Sequence, residues 1–298
     1  MHVDVGDSIL RLALATAARS LVVVGTGKNV GKTVAMRAIY RAALAQGIAP
    51  GLTSIGRDGE AIDVGDSQTK PRLFLRAGTS LATARDVLPA TPASEILELS
   101  RLQTAAGSLV YARVRSDAYY ELVGPPTASG LRESIDTLLH HTNYAIVDGA
   151  IDRIAALAGG SDAVVVSCGA SASSTMEEAV ADVRALVARL CVPRFDGTEP
   201  AIHIEGALTP SRIAELIRER EERAIVVRDP TQIALTGRAA LHALERLSIR
   251  CEREIRVVAV TVASIGRDRT FEPRLFAHAV AEATGVPTFD VYASERAA

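Results

Sequence analysis

The sequence predicts an α/β fold with a mostly parallel sheet flanked by helices, and three observations carry that prediction. Short apolar runs rich in valine recur along the 298 residues, which is typical of strands buried on both faces. Segments with apolar residues at helical spacing separate these runs, so that strand and helix alternate as in βαβ units. The chain is 48% hydrophobic, which supplies ample core material and disfavours disorder.

Charge and cysteine content exclude several classes of function. Positive and negative residues are interspersed at a net charge of −2, which predicts no binding to nucleic acid or to a membrane surface. Cys168, Cys191 and Cys251 lack metal or redox spacing, so we expect buried thiols in a reducing compartment. The N-terminus lacks a signal-peptide pattern, and no apolar run approaches the about 20 residues that cross a bilayer. We therefore expect a cytoplasmic protein.

The first elements in chain order surround a glycine-rich segment. An amphipathic helix is predicted over residues 7–19, and the β-branched run Leu21–Val24 fits a buried parallel strand. The segment Gly25–Thr33 follows. Helical spacing then begins at Val34 and ends near Gly47, a residue type common just beyond helix ends. Strand, glycine-rich turn and helix thus follow one another directly.

This arrangement predicts a phosphate-binding loop. The segment fits the pattern G-x-x-x-x-G-K-[ST], except that Thr26 stands at the first glycine position. Among 33 lysine and arginine residues only three are lysine, and two of these, Lys28 and Lys32, lie in the loop, where a flexible ammonium suits phosphate. Lys32 is expected to reach the β- and γ-phosphates of ATP and Thr33 to bind Mg²⁺. The alternative is a chance Gly-Lys-Thr in a turn. The predicted nucleotide-binding residues are Thr26, Gly27, Lys28, Asn29, Val30, Gly31, Lys32, Thr33 and Val34.

A second strand, predicted over residues 48–55, leads into a polar segment at its carboxyl end, where open α/β sheets bind ligands. Asp58 and Glu60 are the candidate catalytic acids here, together with Lys32, and Asp58 is also a candidate metal ligand. Arg57 is a candidate phosphate contact. The alternative is that these are solvated turn residues, because Gly and Asp cluster in turns anyway.

The middle of the chain contains a second acidic feature. Residues 81–87 and 93–104 are predicted as helical or irregular connections, and residues 108–114 and 118–123 as strands that pair in a hairpin. A helix over 129–141 precedes the apolar run Tyr144–Asp148. A strand that ends in an acid has the form of a Walker B element, in which the carboxylate orders Mg²⁺. Asp148 is therefore a candidate metal ligand, and the alternative is an ordinary helix-capping acid.

The remaining chain repeats strand and helix with weaker chemical signals. Small residues at 169–175 precede a predicted helix, Met176–Leu190, and suit either close approach to a purine or an N-cap at Ser174 or Thr175. Residues 193–200 are the best linker. We expect a P-loop domain over 1–195 and an α/β extension or second lobe over 196–298. Further strands are predicted at 163–168, 201–205, 224–227, 256–262 and 287–291, and helices at 210–222, 236–247 and 273–284.

The chain also contains an internal echo. Ser-Ile-Gly-Arg-Asp occurs at 54–58 and again at 264–268, and Pro-Arg-Leu-Phe follows each copy, at 71–74 and at 273–276. Because the two spacers differ in length, chance or similar strand-end loops explain the echo better than duplication.

The spacing G-T-x-x-x-V-G-K-T at 25–33, with Asp148-Gly149-Ala150, resembles dethiobiotin synthetase and its P-loop relatives. The sequence also resembles the ATPase subunit of the lysine 5,6-aminomutase reactivase. Four segments carry this second resemblance: Lys28-Asn29-x-Gly31-Lys32-Thr33, residues 53–60, Gly124-Pro125 and residues 147–153. This second resemblance implies an ATPase that uses Mg²⁺ and, with a MutS-like partner, renews damaged adenosylcobalamin on its aminomutase client. A homodimer is a further expectation.

Two rival functions follow from the same residues. One is a small-molecule ATP-dependent ligase or carboxylase of the dethiobiotin synthetase type, which would activate a carboxylate by phosphorylation. The other is a nucleotide-binding switch or metallochaperone with negligible turnover, in which loop order follows the γ-phosphate. The phosphate-binding loop is common to all three functions, so the loop alone does not choose among them.

Overall fold

The computed structural model of the chain forms two compact units. The described residues are 4–56, 72–89, 93–149 and 162–292. The first unit comprises Met1–Val23 and Lys32–Ala156, and the second comprises Val24–Gly31 and Leu157–Ala298. The division therefore does not follow the predicted boundary at residue 195, and that two-domain assignment stays a prediction.

The first unit contains a mixed sheet with helices packed on it. In chain order its elements are α1 (Val5–Leu14), β1 (Ser20–Gly25, whose last two residues belong to the second unit), α2 (Lys32–Ala45), β2 (Gly51–Ser54), β3 (Leu73–Leu75), β4 (Ser80–Ala84), β5 (Ser94–Thr104), β6 (Gly107–Val114), β7 (Ala118–Tyr120), α3 (Ala128–His141) and β8 (Ala145–Asp148). Neighbouring strands follow the order β1-β8-β2-β4-β6-β5. The first four are parallel, whereas β6 is antiparallel to both β4 and β5.

The apolar runs of the sequence become strands as expected. Every residue of β1 is buried, and α2 and α3 pack against the parallel strands. Helix α3 begins after Thr127, whose hydroxyl accepts the Gly130 N–H and so satisfies one free donor of the first turn. Helix α1 ends at Leu14, earlier than predicted, and Ala17 then adopts a left-handed φ of 60° before β1.

The predictions for the middle of the chain were partly wrong. Residues 80–84 and 94–104 are strands rather than helical or irregular connections. The hairpin joins β5 to β6, where Gly107 has a φ of 94°, whereas β7 pairs with β3 in a separate antiparallel ladder. Strand β5 escaped sequence analysis because it pairs only with β6 and is largely solvent-facing, so it has no buried apolar run.

The second unit contains two sets of parallel strands. In chain order its elements are β9 (Ala163–Gly169), α4 (Met176–Leu190), β10 (Ala201–His203), α5 (Pro210–Glu219), β11 (Ala224–Val227), α6 (Gly237–Arg246), β12 (Ile249–Cys251), β13 (Arg256–Ala263), α7 (Pro273–Thr284) and β14 (Thr288–Asp290). Strand β13 lies between β9 and β14, and β11 lies between β10 and β12. The prediction of parallel βαβ units is therefore confirmed, and β12 is an additional strand.

The β10-β11-β12 sheet has a hydrophobic core of its own. Buried side chains from α5, α6 and this sheet form one cluster, which includes Leu216, Ile225, Ala243 and Ile249. Helix α4 begins at a capping box, in which the Thr175 hydroxyl accepts the Glu178 N–H while the Glu178 carboxylate accepts the Thr175 N–H. Thr175, rather than Ser174, is thus the N-cap. No helix among the described residues is long and apolar enough to cross a membrane.

Candidate phosphate-binding site

The glycine-rich segment links a buried strand directly to a helix N-terminus. Strand β1 ends at Gly25, and α2 begins at Lys32 and continues for 14 residues. Within the link, Asn29 has a φ of 57° and Gly31 a φ of 85°, both in the left-handed region. Left-handed residues in a loop allow successive backbone N–H groups to converge into an anion-binding concavity. The local backbone therefore contains two residues of the conformation that such concavities use.

The loop is held in place by the carboxyl ends of β9 and β13, which belong to the same unit. The Thr26 N–H donates to the Ser167 carbonyl oxygen at 2.9 Å. A Cβ atom added at Gly27 would lie 2.6 Å from the Ala172 Cβ, and one at Gly31 would lie 2.9 Å from the Ala263 Cβ. Close packing therefore favours glycine at both positions, and at Gly31 the left-handed φ favours it as well.

Polar contacts beneath the loop keep the two strand ends together. The Ser167 and Thr261 hydroxyls lie 2.8 Å apart and are buried, and the Ala170 N–H donates to the Ala263 carbonyl oxygen at 3.0 Å. Burial raises the pKa of the neighbouring Cys168 thiol, which keeps it protonated. Cys168 is thus a packing residue rather than a nucleophile. Cys251 is also buried as predicted, whereas Cys191 is exposed, so that part of the cysteine prediction was wrong.

The side chains of the loop and of the first helical turn differ in exposure. Lys28 and Asn29 are exposed, whereas Val30 is buried with 1% of its surface accessible and anchors the loop. Lys32, Thr33 and Val34 are half-buried at the start of α2. A helix of this length contributes a partial positive charge at its N-terminus, where the first N–H groups have no partner within the helix.

Asp148 lies at the carboxyl end of β8, between two parallel neighbours. The register places Asp148 beside Val23 of β1 and beside Ser54 of β2. The Gly149 N–H donates to the Val23 carbonyl oxygen at 2.9 Å, and the Ile55 N–H donates to the Asp148 carbonyl oxygen at 3.0 Å. The strand that carries the acid is therefore the direct neighbour of the strand that leads into the loop, and the Asp148 side chain is half-buried.

A tight backbone crossing closes the end of β2. The Ser54 hydroxyl donates to the Leu122 carbonyl oxygen at 2.9 Å and accepts the Gly124 N–H at 3.2 Å. The Gly56 N–H donates to the Pro125 carbonyl oxygen at 2.8 Å. The sequence analysis did not predict this crossing, although Gly124-Pro125 forms part of the resemblance to the reactivase subunit. A small hydroxyl residue at a strand end, with glycine two residues later, could have indicated it.

A polar loop follows β13 in the second unit. The Ser264 hydroxyl donates to the buried Asp290 carboxylate at 2.6 Å. The Arg267 N–H donates to the Ser171 hydroxyl at 3.2 Å, and the Arg269 guanidinium donates to the Ser173 carbonyl oxygen at 2.7 Å. The segment after β9 is thereby tied to the segment after β13.

Several predicted site residues lie outside the described residues. These are Arg57, Asp58 and Glu60, and the catalytic and metal-binding roles predicted for the two acids stay predictions. In the described part of the chain, no group of three or more His, Cys, Asp and Glu side chains is arranged to hold a metal ion. Of the three predicted Mg²⁺ ligands, the described residues include a hydroxyl and a carboxylate, Thr33 and Asp148, whereas the metal role of Asp58 stays a prediction.

Comparison of the chain with protein-family models, with curated proteins and with solved structures returns no match. The chemistry of the site is therefore inferred from its own residues.

Proposed function

We propose that this protein is a Mg-ATP-dependent ATPase of the P-loop class that acts on a protein partner. The observation that carries the proposal is the continuous segment from β1 through the loop to α2, with left-handed Asn29 and Gly31 between a buried strand and a helix N-terminus. N–H groups that have no acceptor within the helix and a positive helix end favour a phosphate there, and ATP supplies the phosphates for which a loop of this sequence pattern is suited.

Each candidate residue then has a separate role. The loop amides and the Lys32 ammonium would neutralise phosphate charge, which increases on the leaving oxygen of the β-phosphate as its bond to the γ-phosphoryl group breaks. Thr33 and Asp148 would hold Mg²⁺, directly or through its waters. Asp58 and Glu60 are the candidates to position the attacking water. Mg²⁺ held there would supply positive charge that offsets the charge of the phosphates.

Direct hydrolysis of ATP is favoured over transfer of the phosphoryl group to a protein side chain. Hydrolysis requires charge stabilisation and a positioned water rather than a protein nucleophile. The buried Cys168 thiol beside the loop has a raised pKa and is unsuited to attack a phosphate. The client is assigned by sequence resemblance: a cobalamin-dependent aminomutase, reactivated together with a MutS-like partner.

The test of the ATP site is Lys32→Ala, measured as phosphate release from ATP with Mg²⁺. We expect turnover to fall by at least about 100-fold, because a charge that stabilises the transition state is lost. Arg218→Ala, which removes an exposed cation on α5, is the matched control and should leave turnover unchanged. Phosphate release by Lys32→Ala at the wild-type rate would refute the site.

Asp148→Ala tests the metal assignment separately. We expect a loss of Mg²⁺-dependent turnover of about 100-fold, while the Kd for nucleotide measured without Mg²⁺ changes by less than about threefold. The reason is that Asp148 acts through the metal, whereas the loop holds the phosphates. Unchanged turnover would return Asp148 to a structural role.

The same assay separates the rival functions. Turnover that requires an added small carboxylate or amine would replace the ATPase with a ligase. Tight ATP binding without phosphate release, in the presence and absence of the partner, would replace it with a switch.

A further inference from the structure

Two exposed aromatic side chains stand on the outer face of the β3–β7 ladder. Phe74 is 43% exposed and Tyr119 is 61% exposed. Their neighbours in the same strands, Leu73, Leu75 and Tyr120, are buried, as strand alternation requires. Strand positions that face solvent are ordinarily polar. Packing in the core therefore does not explain why Phe74 and Tyr119 are aromatic.

The two rings form a single apolar surface. Phe74 and Tyr119 are directly paired across the antiparallel ladder, and their ring centroids lie 5.2 Å apart at an interplanar angle of 61°. The Arg76 guanidinium lies 5.5 Å from the Phe74 centroid and covers one face of that ring. An edge-to-face pair with one face occupied offers a shallow notch rather than a flat stacking platform.

Arginines surround this notch. Arg72 and Arg76 flank Phe74 in sequence and are exposed. Arg37 of α2 donates to the Arg72 carbonyl oxygen at 3.0 Å, and Arg41 follows one turn later, also exposed. We call Phe74, Tyr119 and the four arginines the aromatic–arginine surface.

In the described part of the chain, the acidic side chain that contacts this surface is already paired. Asp117 pairs with Arg76 and also accepts the Ala77 N–H at 2.9 Å, and these hydrogen bonds lower the pKa of the Asp117 carboxyl group. Arg37, Arg41 and Arg72 therefore give the surface a local positive charge, although the whole chain carries −2. Positive charge around an apolar notch complements an acidic segment that presents an apolar side chain.

We propose that the aromatic–arginine surface docks an acidic segment of a protein partner, with one apolar side chain of that segment seated between Phe74 and Tyr119. A protein is favoured over single-stranded nucleic acid because Arg76 occupies a face of Phe74 and the crossed rings cannot stack consecutive bases. Aromatic and arginine side chains are also the residue types that dominate binding energy at protein interfaces.

The surface is connected to the candidate phosphate site through α2. The Tyr40 hydroxyl of α2 lies 2.8 Å from the Thr79 hydroxyl and accepts the Arg76 N–H at 2.8 Å, and the same helix begins at Lys32. A partner that contacts Arg37 and Arg41 thus contacts the helix whose first turn is expected to meet ATP. This coupling rests on the proposed ATPase function, whereas docking of the acidic segment does not.

The experiment measures the binding of a fluorescent synthetic peptide, rich in Asp and Glu with a single Phe, to the full chain by fluorescence anisotropy. We expect Phe74→Ala and Tyr119→Ala each to weaken binding by at least about fivefold, as for aromatic residues at interface centres. The double variant Arg41→Gln/Arg72→Gln should weaken it similarly and reduce its salt dependence. Leu99→Ser and Arg101→Gln, on exposed positions of β5, are the matched controls and should bind as wild type.

Several outcomes would overturn the proposal. They are equal binding of a peptide in which Ala replaces Phe, wild-type binding by the aromatic variants, tighter binding of single-stranded RNA than of the peptide, and concentration-dependent self-association that requires Phe74. Thermal unfolding of each variant shows whether weaker binding comes from misfolding or from the lost contact. The Arg41→Gln/Arg72→Gln variant also tests the surface without changing a residue of the β3–β7 ladder. Lys32→Ala should still bind the peptide, so loss of ATP turnover and loss of docking are distinguishable.

Discussion

The same three residues, Ser-Ile-Gly, stand at the carboxyl ends of strands β2 (residues 54–56) and β13 (residues 264–266). The contacts that hold these two strand ends differ. Both serines are buried. At the first end Ile55 is buried, and the Ser54 hydroxyl bonds to backbone atoms of Leu122 and Gly124. At the second end Ile265 is 41% exposed, and Ser264 bonds to a carboxylate, that of Asp290.

The two ends thus differ in the partner of the serine hydroxyl, and they also differ in how closely a glycine approaches the neighbouring backbone. A Cβ atom added at Gly124 would lie 1.5 Å from the Ser54 carbonyl oxygen, whereas one added at Gly266 would lie 2.9 Å from its nearest backbone atoms. A backbone crossing cannot adjust to a new side chain. At 2.9 Å a shift of a few tenths of an ångström relieves the overlap, whereas at 1.5 Å it does not, so we expect the first end to tolerate substitution less well.

The largest expected effect is that of Gly124→Ala. Because the new methyl group would overlap a backbone carbonyl, we expect the free energy of unfolding to fall by about 3 kcal/mol or more, beyond the usual range for overpacking. Gly266→Ala should cost only about 1–2 kcal/mol. Urea denaturation measures both.

Gly47→Ala is the control, because Gly47 has a φ of 74° and open space around it, so it reports backbone strain without overlap. It should cost about 1 kcal/mol. Equal losses for Gly124→Ala and Gly266→Ala would show that the two strand ends are equally adaptable.

The serines provide the second test. Ser264→Ala removes a hydrogen bond to a carboxylate and should cost about 2–3 kcal/mol, whereas Ser54→Ala removes bonds to neutral backbone groups and should cost about 1–2 kcal/mol. Ser264→Thr, which keeps the hydroxyl, should recover part of the loss. Denaturant midpoints at neutral pH rank the stability of the two variants. A larger loss of stability for Ser54→Ala than for Ser264→Ala would contradict this expectation.

The echo itself marks where sequence-based prediction succeeds and fails. Pro-Arg-Leu-Phe begins helix α7 at Pro273, where the Glu272 carboxylate caps the first turn, yet Leu73 and Phe74 of the other copy form strand β3. The same residues adopt different structures because capping and strand pairing decide between them. Chance, rather than duplication, therefore remains the better explanation of the echo.

Elements with buried apolar runs could be predicted from the sequence, and elements defined by distant partners could not. Strand β1 and helix α4 lie where their patterns indicate, and the glycine-rich segment 25–33 links a strand to a helix as predicted. The β3–β7 pairing and the Ser264–Asp290 contact depend on residues far apart in the chain, and no local period records such contacts. Strand β5 pairs locally with β6 in a hairpin, but its largely exposed residues give no buried apolar run to recognise.

The smallest expected effect concerns the outermost contact of the β13 end. Ser171→Ala removes the hydroxyl that accepts the Arg267 N–H at 3.2 Å, an exposed hydrogen bond, so the free energy of unfolding should change by less than about 0.5 kcal/mol. Hydrogen exchange of the Arg267 amide should nevertheless become faster, because its acceptor is gone. If global stability falls as much as in Ser264→Ala, the loop and the strand end form one cooperative unit, and the contrast with the backbone-closed end of β2 loses its basis.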